Sequence, residues 1–86
     1  MLRNGQKTPE IIRLSNCKIC VYPADHLPAH FHVRGPGWSA SIGMNSLQVL
    51  KGKGPKADIM AAIEWASVPD NRVRLLSEWR RFNERD

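Results

Sequence analysis

Between residues 30 and 45 the chain alternates polar and apolar side chains with the period of two that a half-buried strand requires. His30, His32 and Arg34 fall on one parity and Phe31 and Val33 on the other. After Gly35, Pro36 and Gly37, the residues Trp38, Ala40, Ile42 and Met44 alternate with Ser39, Ser41, Gly43 and Asn45. These runs predict two strands, 30–34 and 38–45, joined as a hairpin. A two-residue turn at Gly35 and Pro36 would pair Val33 with Trp38, Phe31 with Ala40, His32 with Ser39 and His30 with Ser41. A four-residue loop keeps the same sorting of faces, whereas a three-residue loop would spoil it unless a bulge intervened. The histidine row is therefore expected beside a row of serines, away from the aromatic core, with Phe31 and Val33 buried against helices.

Two β-prone runs precede this hairpin. Residues 10–14 and 17–22 flank Ser15 and Asn16, a two-residue link that predicts an antiparallel pair. Residues 23–29 read as a loop, because Pro28 bars regular structure before it. Downstream, 47–50 reads as a short fifth strand and 51–54, Lys-Gly-Lys-Gly, as a turn. Pro55 suits a helix start, and Ile59, Met60, Ala62, Ile63 and Ala66 give a helix over 56–67 its apolar face. Pro69 ends it, and Asp70 can cap a last helix over 71–83 that buries Leu75, Leu76, Trp79 and Phe82. The predicted class is α+β: an antiparallel sheet of four to five strands followed by two C-terminal helices packed on one face.

At 86 residues the chain is expected to form a single domain over 1–86, with a polar segment at about 1–9. No apolar run approaches the ~20 residues of a membrane span, and the polar N-terminus lacks the apolar stretch of a signal peptide. A cytoplasmic protein with no membrane partner is expected. A formal charge of +5 favours acidic partners: nucleic acid, an acidic protein or a phosphorylated ligand. Arg72, Arg74, Arg80, Arg81 and Arg85 line the last helix around Glu78. They read either as a solvated face or, through Arg72, Arg74 and Arg81 with Lys51 and Lys53, as a phosphate-binding patch. Cys17 and Cys20 should face opposite sides of a strand as two small apolar residues, since a zinc site needs more ligands than the pair supplies. No cofactor is expected.

All three histidines of the chain lie within residues 26–32. One reading makes His26, His30 and His32 structural, with Asp25 orienting an imidazole. A second makes them metal ligands, since His30 and His32 on one strand face can converge on an ion with His26 or Asp25 as third ligand. A third is phosphate chemistry, with His30 and His32 as general base and acid and Arg34 stabilising developing charge. Asp25, His26, His30, His32, Arg34, Arg74 and Arg81 are thus the candidate binding residues. His30, His32 and Arg34 are the catalytic set should the protein be an enzyme.

The run from Asp25 through Val33, Asp-His-Leu-Pro-Ala-His-Phe-His-Val, resembles the signature of bacterial domain-of-unknown-function family 4160: an acidic residue, His, then Pro-Pro-His-Phe-His-Val. The similarity extends over about 11–83, through a Val-x-x-Gly turn at Val49 to Gly52, Glu64 and Trp65, and a Leu-x-x-x-Trp step from Leu75 to Trp79. Ala29 stands where the family usually has a second proline. The resemblance implies a bacterial cytosolic protein. It also implies a small partner protein encoded nearby, in an arrangement like that of toxin–antitoxin pairs. The expected function is the binding component of such a pair, with nucleic acid and a second copy of the chain as further candidate partners. The rival expectation is a small metal-independent ribonuclease or nucleic-acid-binding protein using His30, His32 and Arg34.

Overall fold

The computed structural model describes residues 9–23 and 25–83. The polar segment expected at about 1–9 lies outside them except for Pro9, as does Arg85. Five strands run β1 (Glu10–Arg13), β2 (Lys18–Cys20), β3 (His30–Gly35), β4 (Trp38–Gly43) and β5 (Val49–Lys53). Two helices follow, α1 (Lys56–Ser67) and α2 (Pro69–Asn83). The strands form one antiparallel meander in sequence order, and the α+β expectation holds.

Residues 14–17 make the first turn, where the Leu14 N–H donates to the Cys17 carbonyl at 2.8 Å around Ser15 and Asn16, as the sequence predicts. The second hairpin differs. Gly35 pairs with Trp38, Val33 with Ala40, Phe31 with Ile42 and His32 with Ser41, so the turn is Pro36 and Gly37. Proline is favoured at the first central position of a turn and disfavoured at the second, and Gly37 takes a φ of 76° that suits glycine in a type II turn. The shift is two residues in register, so the parity of the faces holds and His32 gains a serine partner, but His30 lies opposite Gly43 and is buried beside Trp79 rather than away from the aromatic core.

β5 is the larger correction. Lys51, Gly52 and Lys53, read above as turn residues, are its second half and pair with Ser41, Ala40 and Ser39. Lysine and glycine are weak strand formers, so propensity hid the pairing. Gly52 has φ 77°, and a Cβ there would run into the Ser39 carbonyl oxygen, so the close approach of β4 and β5 requires glycine.

Cross-strand partners share a face, which sorts the whole sheet. Ile19, Val33 and Ala40 form one row and Phe31 and Ile42 another, all buried. Ala62, Ala66, Leu75 and Trp79 of the helices join Ile19, Val21, Phe31, Val33, Ile42 and Met44 in one core. Ile59, Ile63, Leu76 and Phe82 pack at its edge, with Trp65, which the helical pattern had not marked. Met60, expected on the apolar face of α1, is exposed. Only Val68 separates the helices. Pro69 opens α2 rather than merely closing α1, because its fixed φ and missing N–H cost nothing in a first turn. Asp70 therefore sits inside that first turn and not before it.

Among the described residues the opposite sheet face is polar and largely exposed, and it meets α2 at its His30 end, beside Trp79. Its rows are Lys18, Arg34, Ser39 and Lys53, then Cys20, His32, Ser41 and Lys51. Arg34, Ser39, Lys51 and Lys53 are exposed. Cys17 belongs to the core and Cys20 to the histidine side, so the two thiols do face opposite ways; both are free. Burial pushes each thiol above its ordinary pKa, with Asp58 adding to the effect at Cys17.

Candidate functional site

The first residues of β3 bring two imidazoles together where the polar sheet face meets the end of α2, and the 21–29 connection returns a carboxylate to them. Asp25 Oδ2 lies 3.0 Å from Nε2 of His30 and 3.0 Å from Nε2 of His32. The ring centroids of the two histidines are 5.0 Å apart, as i, i+2 spacing on a strand dictates. Asp25 is held in turn by α2. Its N–H donates to Asn83 Oδ1 at 2.6 Å, and Asn83 Nδ2 donates to the Tyr22 carbonyl at 3.1 Å. One amide side chain at the end of α2 thus clips both ends of the segment that delivers the carboxylate.

The histidines differ in setting. His30 is 5% exposed, with its ring 5.2 Å from that of Trp79 and its Nδ1 2.7 Å from the Pro28 carbonyl oxygen. A carbonyl only accepts, so Nδ1 carries the hydrogen. In a neutral ring Nε2 would then turn its lone pair toward Asp25. A proton or a cation must lie between them. His32 is half-buried, with Ser41 Oγ 3.5 Å from Nδ1 and the Tyr22 ring edge-on at 4.7 Å. The Tyr22 hydroxyl accepts from Arg34 at 2.7 Å. Burial by itself would raise the Asp25 carboxyl, but the His32 hydrogen bond, the His30 charge and the His26 N–H outweigh it and hold the group below the usual carboxylate range.

The residues singled out from sequence divide into those gathered here and those elsewhere. Asp25, His30 and His32 converge, and Arg34 joins them through Tyr22. His26 is exposed, its ring 6.0 Å from that of His30, and it contributes its backbone N–H to Asp25 Oδ1 at 3.2 Å. The third group beside the histidine pair is Asp25, not His26. Arg74 lies at the β1 edge, donating to the Ile11 carbonyl at 2.8 Å. Arg72 donates to the Asn45 carbonyl at 2.9 Å. Arg81 pairs with Glu78 at 3.4 Å and lies 5.6 Å from the Phe82 ring centre. Arg74 and the Lys51 and Lys53 pair thus flank opposite edges of the sheet and form no single patch. Asn83, Tyr22 and Ser41 complete the site. Register pointed toward a serine beside His32, but nothing in the sequence linked Asn83 to Asp25.

A carboxylate bridging two strand histidines beside an open cationic sheet face defines a small α+β domain built around a polar cluster, rather than a helix-borne patch. The chain belongs to the family described as Domain of unknown function (DUF4160), whose model matches residues 17–80. No curated protein and no solved structure matches the chain. Among the described residues, no helix is long and apolar enough to cross a membrane.

Proposed function

We propose that this protein acts in the cytosol as the binding component of a two-protein, toxin–antitoxin-like pair, and that an acidic partner protein docks on the polar sheet face. The observation that carries this reading is the cross-strand row of Lys18, Arg34, Ser39 and Lys53, with Lys51 in the next row. Three cations in one row repel one another, and an arriving carboxylate surface relieves that repulsion while steering its own approach. Beside this row an open groove of about 890 Å³ is lined by Arg13, Lys18, Arg34 and Trp38, and on its α1 side by Pro55 and Asp58. Its three cations outnumber the one carboxylate and leave the groove net positive toward a partner's acidic side chains. The exposed Leu50 adds apolar area of the kind a protein interface uses.

The rival reading has less support. Cleavage of a phosphodiester by general acid–base catalysis needs both imidazoles free to reach substrate. His30 is buried with both ring nitrogens in contact, which weighs against His30, His32 and Arg34 serving as a metal-independent ribonuclease.

The test is titration of the full chain with the small protein encoded beside it, and separately with labelled RNA and DNA. Saturable binding to the protein is expected, abolished by the combined change Arg34→Glu, Lys51→Glu and Lys53→Glu. Reversing Arg74 and Arg81 on α2 should leave that binding intact, at a stability cost of about 1 kcal/mol from the lost Arg74 hydrogen bond. Binding to nucleic acid instead, falling on the order of a hundredfold between 50 and 200 mM salt for about four phosphate contacts, would replace the protein partner with a phosphate backbone. Loss of binding on reversing the helix arginines alone would overturn the assignment of the face.

A further inference from the structure

We propose that Asp25, His30 and His32 form a binding site for a first-row divalent transition-metal ion such as zinc, independently of what docks on the sheet face. One ligand atom from each residue lies within 4.8 Å of the other two, and both carboxylate-to-imidazole separations are 3.0 Å. Two atoms each about 2.1 Å from zinc at a tetrahedral angle stand about 3.4 Å apart. Each carboxylate-to-imidazole separation therefore needs to open by only a few tenths of an ångström to admit the ion, between imidazole nitrogens that lie within 4.8 Å of each other.

The decisive feature is the direction of the lone pairs. With its Nδ1 hydrogen committed to the Pro28 carbonyl at 2.7 Å, His30 in its neutral form aims the Nε2 lone pair at an anionic oxygen. That arrangement is unfavourable when empty and is the one a metal ligand needs. Metal-bound histidines usually donate their second ring nitrogen to a backbone carbonyl or carboxylate, which fixes the tautomer. Ser41 can accept from His32 Nδ1 in the same way, and the His26 N–H holds the other carboxylate oxygen. An oxygen and two imidazole nitrogens suit zinc or iron(II) over the hard cations calcium and magnesium. The Asp25 and His32 side chains are 21% and 24% exposed, so an ion here would keep an exchangeable position open to solvent. Cys20 shares this face, but its thiol engages Tyr22 and lies outside the converging set.

The full-length protein, stripped with chelator and dialysed against zinc alone, should take up one ion per chain. Asp25→Asn and His32→Ala should each weaken uptake by at least about a hundredfold, while His26→Ala and Cys20→Ser leave it unchanged. Circular dichroism identifies any variant that has merely unfolded. Cobalt(II) substitution gives a second readout, a visible spectrum without a thiolate charge-transfer band. Absence of uptake of zinc, cobalt or iron(II) by the folded chain would overturn the proposal. So would retention of the ion by His32→Ala, or its loss in Cys20→Ser.

Discussion

Replacing Phe31 by alanine is expected to cost about 3–5 kcal/mol of stability, the range for truncating a fully buried phenylalanine. Phe31 is 0% exposed and pairs with Ile42 in the core that the sheet shares with both helices. A domain of 86 residues has in total only about 4–13 kcal/mol to lose. The variant should therefore stand at the edge of folding. Urea unfolding followed by circular dichroism will show the midpoint collapse toward zero, whereas Phe31→Leu should lose far less because it keeps most of the buried volume. A loss below about 1 kcal/mol for the alanine variant would mean that Phe31 does not face the helices.

Gly52→Val is expected to detach β5 while sparing the rest of the sheet. The residue sits at φ 77°, a region that β-branched side chains rarely enter, and its Cβ would collide with the backbone of Ser39. Neither the strain nor the contact can relax without breaking the β4–β5 pairing, and strain of this kind alone costs of order 1–3 kcal/mol. Every residue of β5 is exposed, so little buried apolar surface opposes its release. Hydrogen exchange should show the β5 amides losing protection while those of β2 and β3 keep theirs. Because Lys51 and Lys53 leave with the strand, partner binding should fall with it. Unchanged protection of β5 would show that the close approach to Ser39 is not required.

The parts of this structure that alternate strictly were legible in the sequence, and the parts fixed by distant residues were not. Residues 30–34 announced their two faces because Phe31 and Val33 differ so sharply from His30 and His32, and a two-residue slip of register kept their parity, though not the burial of His30 beside Trp79. The amphipathic pattern over 56–67 placed α1 for the same reason. The Lys-Gly-Lys run of β5 carries no such contrast, since its residues are exposed on both sides and its pairing depends on what glycine permits rather than on what side chains prefer. The histidines drew attention by composition, and Asp25 stood among the candidates. Its placement between them depends on Asn83, whose bond to Asp25 spans 58 residues. The helix arginines misled most. Arg72 and Arg74 cap backbone carbonyls, a role that charge spacing along a helix does not reveal, while the cations of the sheet face come from three separate strands.

Asp25 binds His30 and His32 into one unit, with His30 locked by the Pro28 carbonyl. Nitrogen-15 NMR of the imidazoles in metal-free protein tests it most directly. A hydrogen-bonded proton is expected on His30 Nδ1, with the Nε2 resonances of both His30 and His32 shifting on Asp25→Asn while those of His26 stay in place. A His30 ring carrying its only proton on Nε2, or Nε2 resonances indifferent to Asp25, would contradict it.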